Sequence, residues 1–166
     1  MAGQAPGARV HASGTPFTDP SGVRLRGWMG VADAEFYDDT RIAILPMGFC
    51  FPGNDAKGGD LPPRRECAAK WRQPLLDAMP QLELVLLVGS YAINWHLKSE
   101  ARGSLTETVA AFATILERPG APHFFPLPHP SWRNNAWIKS NPWFEADVLP
   151  RLRTEVRSRL GGRVRA

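Results

Sequence analysis

The chain has 166 residues, of which 43% are hydrophobic and 22% are charged, with a formal net charge of +4. These values are ordinary for one globular domain with its own core. No apolar run approaches the roughly 20 residues of a membrane span, and the polar, glycine-rich N-terminus does not resemble a signal peptide, so we expect a cytoplasmic protein without membrane contact.

The first half of the chain predicts a helix, a buried strand and a long loop, in that order. Residues 20–28 predict a helix with Asp19 as N-cap and a proline at its first position, and a helical turn follows at residues 34–36. Residues 41–47 are a nearly continuous apolar run, which is typical of a strand buried on both faces. Glycines and prolines in residues 51–63 indicate a stiff, well-defined loop.

The next segments predict a helix, a strand and a second helix. Residues 64–78 have apolar side chains near a helical period, and Pro74 is expected to kink that helix. Residues 82–88 are the clearest strand of the chain. Ser90 is expected to cap a helix that ends at about Leu97.

The last part of the chain predicts a helix over residues 106–116, a short strand over residues 123–127 and a final helix over residues 142–160 that Pro150 interrupts or bends. We expect one domain over residues 1–162 and a basic tail over residues 163–166. The positive charge of this region is typical of a solvated helix face with a frayed tail, and a surface that faces phosphates is the alternative. The arginines are Arg151, Arg153, Arg157, Arg159, Arg163 and Arg165.

Alternating strands and helices, with unbroken apolar strands, predict an α/β fold of three layers. We expect a central, mostly parallel sheet of four strands with helices on both faces. A tight turn such as residues 3–7 normally follows a buried strand, yet only Met1 and Ala2 precede it. We therefore expect either that the first strand is missing or that this loop lacks its usual support. Ligands bind at the carboxyl ends of the strands in such folds, where His129 and residues 50–63 should meet.

Two tight turns near the ends of the chain carry the candidate site. Gly3-Gln4-Ala5-Pro6-Gly7 offers free backbone groups, and Gly14-Thr15-Pro16-Phe17 places an aromatic ring a short loop away. His129-Pro130-Ser131 holds a histidine between two prolines that restrict its backbone. Together they suit an enzyme that holds a flat heterocycle and stabilises charge developing at one of its edges.

These motifs resemble those of the uracil-DNA glycosylase superfamily, nearest to its iron–sulfur (thermophile-type) branch. That branch has Gly-Glu-Ala-Pro-Gly, then Gly-x-Pro-Phe, then a small residue and glycine before a helix, and residues 3–22 are similar to this order. Residues 87–92 resemble its Leu-Gly-x-x-Ala segment. An uncharacterised bacterial branch has Pro-Met-Gly-Phe-Cys-aromatic-Pro-Gly and His-Pro-Ser-x-Arg-Asn, which appear here at residues 46–53 and 129–134.

The resemblance implies a hydrolase of base excision repair that flips a deaminated base out of DNA and cleaves its N-glycosidic bond. By this resemblance Phe17 would stack on the base and His129 would donate to the uracil carbonyl oxygen. The first loop would contact the base and orient the attacking water, and the second would touch the DNA backbone or fill the emptied stack. The implied residues are catalytic Gln4 and His129, and substrate-binding Gly3, Ala5, Pro6, Gly7, Phe17, Ser131 and Trp132. The implied partner is single- or double-stranded DNA, bound by a monomer.

The chain departs from the family's pattern at two points of the pocket. Gln4 and Ala5 stand where the family's active members have a water-activating acid, and apolar Leu45 or its neighbours stand where a base-reading asparagine is expected. His11, which follows the first turn and has a pKa naturally near neutrality, is a candidate base; a simple loop histidine is the alternative. Asp55, Asp60 and Glu66 form no paired-carboxylate pattern.

These departures keep a second hypothesis open, in which the chain is a non-catalytic module that binds DNA or senses bases on the same fold. A third hypothesis is an inactive fragment that lacks its N-terminal segment. Such a fragment would lack the first strand and the cluster-binding segment and could neither excise a base nor bind DNA.

Two cysteines, Cys50 and Cys67, are too few for a disulfide scaffold. Their spacing is close to that of the second cysteine pair of the iron–sulfur branch. A 4Fe–4S cluster normally requires four thiolates, so the resemblance implies a cluster only if two further cysteines lie upstream. Buried, unreactive thiols are the alternative.

Overall fold

The computed structural model describes residues 1–98, 101 and 103–161. Its regular sheet consists of two parallel strands, β1 (Leu84–Val88) and β2 (His123–Leu127). Both were expected from the sequence. The basic tail at residues 163–166, with its two arginines, lies outside the described residues.

Helices account for most of the remaining regular structure. In chain order they are α1 (Ala8–Ser13), α2 (Pro20–Met29), α3 (Asp33–Phe36), α4 (Arg65–Cys67), α5 (Gln73–Asp77), α6 (Ser90–Leu97), α7 (Leu105–Ala110), α8 (Phe112–Leu116), α9 (Asn135–Ser140) and α10 (Leu149–Gly161). Within the described ranges, none of them combines the length and the apolar character needed to cross a membrane.

Two π-helical segments, Ala68–Arg72 and Phe144–Val148, each lie just before a proline at the second position of the next helix. Those prolines are Pro74 and Pro150. Because proline has no N–H and its ring crowds the preceding turn, the hydrogen-bond ladder widens there. At both prolines, where the sequence predicts a kink or an interruption, the structure has a widened helical turn.

The expected four-stranded sheet is not present as such, because the described residues contain two regular strands. Residues 41–47, predicted as a strand, lie beside residues 1–3 as an extended segment. The N–H groups of Leu45 and Met47 donate to the carbonyls of Met1 and Gly3 at 2.9 and 2.8 Å.

Residues 1–3 are also hydrogen-bonded to β1, since Ala2 N–H donates to Leu86 O and Val88 N–H donates to Ala2 O, both at 2.8 Å. This segment pairs with β1 through a single bridge instead of a regular ladder. The turn that follows it therefore has backbone support on both sides, which corrects the expectation of an unsupported first loop.

Side chains of the two strands alternate between two apolar clusters, as the period of a strand requires. Leu86 and Val88 face a cluster that includes side chains of α2 and α10, whereas Val85 and Leu87 face one that includes α6. Helices therefore cover both faces of the sheet. This arrangement agrees with the predicted α/β class.

Several local predictions can be compared directly with the structure. The cap of α2 is confirmed, because the Asp19 carboxylate accepts from Gly22 N–H at 3.2 Å. Ser90 was expected as a cap and is instead the first residue of α6, because Gly89 occupies the cap position with a φ of +87°. The single helix predicted over residues 106–116 is two helices, α7 and α8, which meet at Ala111.

Candidate active site

The two loops selected from the sequence meet in one cleft of about 410 Å³. His129 and Trp132 line it from one side, and residues 3–10 with Phe17 line it from the other. The cleft lies beyond the carboxyl ends of the strands, since His129 follows β2 by two residues and contacts Gly89 directly after β1. This is the edge of the sheet at which the sequence predicted a ligand site.

The Phe17 ring lies directly on the first loop. A Cβ added to Gly3 would be 3.2 Å from Phe17 Cζ, so the ring can approach because position 3 has no side chain. Phe17 has a φ of 58°, in the left-handed region that a bulky residue rarely adopts. Its carbonyl oxygen would be 1.7 Å from a Cβ on Gly22, which explains why a glycine follows the small residue in this motif.

Buried Arg26 and half-buried Tyr37 hold the Phe17 turn in place. The Arg26 Nη1 group donates to Phe17 O at 3.0 Å, and the Tyr37 hydroxyl donates to Pro16 O at 2.9 Å. Arg26 is itself fixed by Asp33, at 2.8 Å. Unfavourable backbone conformations cost about 1–3 kcal/mol and persist where their surroundings over-determine them. The ring therefore forms a rigid wall of the cleft.

The first loop is fixed through its backbone, which leaves a side-chain amide unengaged. The carbonyl of Gln4 accepts from Gly48 N–H at 2.9 Å, and that of Gly7 accepts from His11 N–H at 2.9 Å. In the part of the chain that the structure describes, the half-buried Gln4 amide makes no hydrogen bond. It lines the cleft and is available to a ligand.

The contacts of His129 determine its tautomer. Ser131 N–H donates to Nδ1 at 3.3 Å, so that nitrogen is the acceptor and Nε2 carries the proton in the neutral ring. Among the described residues, Nε2 has no hydrogen-bond partner. His129 lines the cleft, and its protonated nitrogen is therefore available to an acceptor there.

Burial lowers the pKa of His129 from its ordinary value of 6.5, while the nearby carboxylates Asp19 and Asp60 oppose that effect without cancelling it. The imidazole is consequently neutral at pH 7. A neutral imidazole whose Nε2–H faces the cleft can stabilise negative charge that develops on a bound ligand, without first losing a proton.

The second loop is supported by nearby polar side chains. Asn134 Nδ2 donates to His129 O at 2.6 Å, and Arg24 Nη1 donates to Ser131 O at 3.2 Å. Ser131 accepts from Arg133 N–H through its hydroxyl at 3.2 Å and does not line the cleft. Trp132, in contrast, lines the cleft and leaves 73% of its surface exposed at the mouth.

Residues from the long loop complete the cleft, as expected for residues 50–63, but the sequence did not single out the three that line it. Asn54, Gly58 and Asp60 line it beside the first loop. A Cβ added to Gly7 would be 2.8 Å from Asp60 Oδ2, so the carboxylate lies against the backbone of the first motif. Asp60 has no motif around it in the sequence, and only the fold brings it to Gly7.

Three candidate residues lie elsewhere. His11 is exposed, stacks on Phe51 with ring centroids 5.6 Å apart and does not line the cleft. Cys50 is exposed and Cys67 is half-buried, so Cys50 is not the buried thiol that one interpretation expected. The described residues contain no group of three or more histidines, cysteines or acids arranged to hold a metal ion. Two thiolates alone do not fit a four-thiolate cluster.

A family model described as the uracil DNA glycosylase superfamily matches residues 1–153 of the chain. The match spans both loops, Phe17, Asp60 and both strands of the sheet. It therefore covers every residue that lines the cleft.

Proposed function

Since the chain belongs to the uracil DNA glycosylase superfamily, we propose that it excises a deaminated base, first of all uracil, from DNA by hydrolysing the N-glycosidic bond. The observation that carries this proposal is the shared cleft, in which the stacking ring of Phe17, the free amide of Gln4 and the neutral His129 face one ligand-sized space.

The steps follow from these groups. The target base leaves the helical stack at a cost of a few kcal/mol, and stacking on Phe17 offsets about 1–3 kcal/mol of that cost. Gln4 and the backbone of the first loop bind the edge of the base. As the glycosidic bond breaks, the electron pair moves onto the base, and His129 Nε2–H donates to the carbonyl oxygen that becomes negative.

The mouth of the cleft suits a DNA partner. Trp132 is exposed there, and the Arg133 guanidinium lies 5.9 Å from the centre of its ring. An aromatic ring can fill the space that the flipped base leaves, and an arginine can contact phosphate. We propose that the enzyme acts as a monomer.

The test is to measure abasic-site formation in single- and double-stranded DNA that contains uracil, hypoxanthine or xanthine. We expect excision by the wild type and a loss of about 10²–10³-fold in rate for His129→Ala, because one preorganised donor to the developing charge is removed. His11→Ala is the matched control, and its rate should stay within about twofold because that ring lies outside the cleft.

The competing function is a non-catalytic module that binds DNA. Apolar Ile44 and Pro46 line the wall of the cleft close to where a base-reading amide was expected, and this observation favours that alternative. Tight, salt-sensitive binding that survives His129→Ala, with no excision of any of the three bases by the folded wild type, would establish the module and reject the enzyme.

A further inference from the structure

We infer that Asp60 is the catalytic base of this protein, the carboxylate that accepts a proton from the attacking water. The inference rests on the proposed function, because the reaction supplies the water. The first loop has no carboxylate that could activate the water, and Asp60 of the long loop would supply one.

The position of the Asp60 carboxylate supports this role. Its Oδ2 lies against Gly7, and the Asn54 amide contacts its other oxygen, with Nδ2 and Oδ1 3.4 Å apart. Asp60 makes no ion pair within the described residues, so the carboxylate is not neutralised by a neighbouring cation. Oδ2 is thus the oxygen that remains for a water molecule beside the first loop.

Asp19 is the other carboxylate that lines the cleft, and its contacts suit a different role. One of its oxygens accepts from Gly22 N–H and caps α2. Asp19 also raises the pKa of His129 more than Asp60 does, so it acts mainly on the histidine side of the cleft. The attacking water must approach from the side opposite the departing base. Asp60 lies against Gly7 of the first loop, and by the family resemblance this is the loop that orients the attacking water.

The chemical step balances with these groups alone. The water oxygen forms a bond to C1′ of the deoxyribose as the C1′–N bond breaks, and the bonding electron pair leaves with the base. A proton of the water moves to Asp60 Oδ2. The products are an abasic sugar with a hydroxyl at C1′ and the anion of the base, which His129 stabilises until it takes up a proton.

The experiment compares three matched substitutions, Asp60→Asn, Asp55→Asn and Asp19→Asn, by single-turnover excision, DNA affinity and thermal melting. Asp55 lies in the same loop outside the cleft, and an asparagine there can still accept from the N–H groups of Lys57 and Gly59. We expect Asp60→Asn to lower the excision rate about 10²–10⁴-fold, with affinity within about threefold of the wild type. The excision rate of Asp55→Asn should stay within about threefold of the wild type. Asp19→Asn should lower the excision rate less than Asp60→Asn does.

Chemical rescue separates a proton acceptor from a structural role. Formate should raise the excision rate of Asp60→Ala at least about tenfold, because a small carboxylate can occupy the vacated space. An Asp60→Asn rate within fivefold of an active wild type would overturn the assignment and leave the proposed function intact. A larger loss for Asp19→Asn, or no rescue of a folded Asp60→Ala, would also overturn it. A folded wild type that excises none of the bases rejects both proposals.

Discussion

The two loops of the cleft are built in different ways. The second loop is organised mainly by its own sequence neighbours: Ser131 fixes the tautomer of His129 and Asn134 holds its carbonyl, while Arg24 adds one contact from a distant helix. The first loop depends on distant segments, because Phe17 supplies its ring, residues 47–48 hold its backbone and Asp60 supplies its carboxylate. A sequence motif therefore predicts the chemistry of a site directly when the reactive group lies within the motif itself. When the motif is a backbone cradle, its missing acid can come from another loop.

We expect the largest effect, a loss of stability, from Gly22→Ala, because this substitution displaces the Phe17 turn that packs on the first loop. The new Cβ would be 1.7 Å from Phe17 O, and backbone atoms would have to move. We expect a loss of at least about 3 kcal/mol in the free energy of unfolding, measured by urea denaturation.

Gly27→Ala is the control in the same helix. A Cβ there has no heavy atom within 4 Å, and alanine is the better helix former. This variant should gain about 0.5–1 kcal/mol in the free energy of unfolding. Equal behaviour of the two variants would contradict the close packing of Gly22 on the Phe17 turn.

A smaller effect is expected for Trp132→Ala, which removes an exposed group of the second loop without touching the core. If Trp132 fills the emptied stack, the lost contact of about 1–3 kcal/mol corresponds to roughly 5–150-fold slower excision from double-stranded DNA. Excision from single strands should change less, because no stack needs filling. Trp71→Ala, at another exposed tryptophan outside the cleft, serves as the control. Equal losses on both substrates would reject the stack-filling role.

The smallest effect concerns the electrostatic link between the loops. Since Asp19 and Asp60 both raise the pKa of His129, Asp60→Asn should lower that pKa further, and Asp19→Asn should lower it more. Nitrogen NMR of labelled histidine gives both the pKa and the tautomer. A titration at or above 6.5 in the wild type, or a proton on Nδ1 at pH 8, would contradict the structure.

The same pKa determines one contribution to acid sensitivity. The folded pKa of His129 lies below the unfolded value, so the unfolded chain binds more protons in the interval between them. The stability contributed by neutral His129 is complete above about pH 6.5 and is lost as the pH falls through the folded pKa. Urea denaturation across that range should show a smaller decline for His129→Ala than for the wild type.

The fold could be predicted where local signals were strong. The apolar runs of β1 and β2, the cap of α2 and an irregular helical turn at each of the two prolines all appear in the structure, because each depends on residues close in sequence. Residues 41–47 have the same apolar character but do not form a regular strand. They lie as an extended segment that is hydrogen-bonded to residues 1–3, which are far from them in sequence. Of this run only Met47 is buried and residues 42–46 are half-buried, so the apolar pattern predicted neither the burial on both faces nor the pairing.

The family and the residues of both motifs were evident from the sequence alone, because a turn, a stacking ring and a histidine are encoded within a few positions each. Tertiary structure alone decided that these groups share one cleft, that Nε2 of His129 carries its proton, and that Asp60 lies against Gly7. The physical reason is that burial and hydrogen-bond partners set the protonation of a ring, and both arise from segments far apart in the chain.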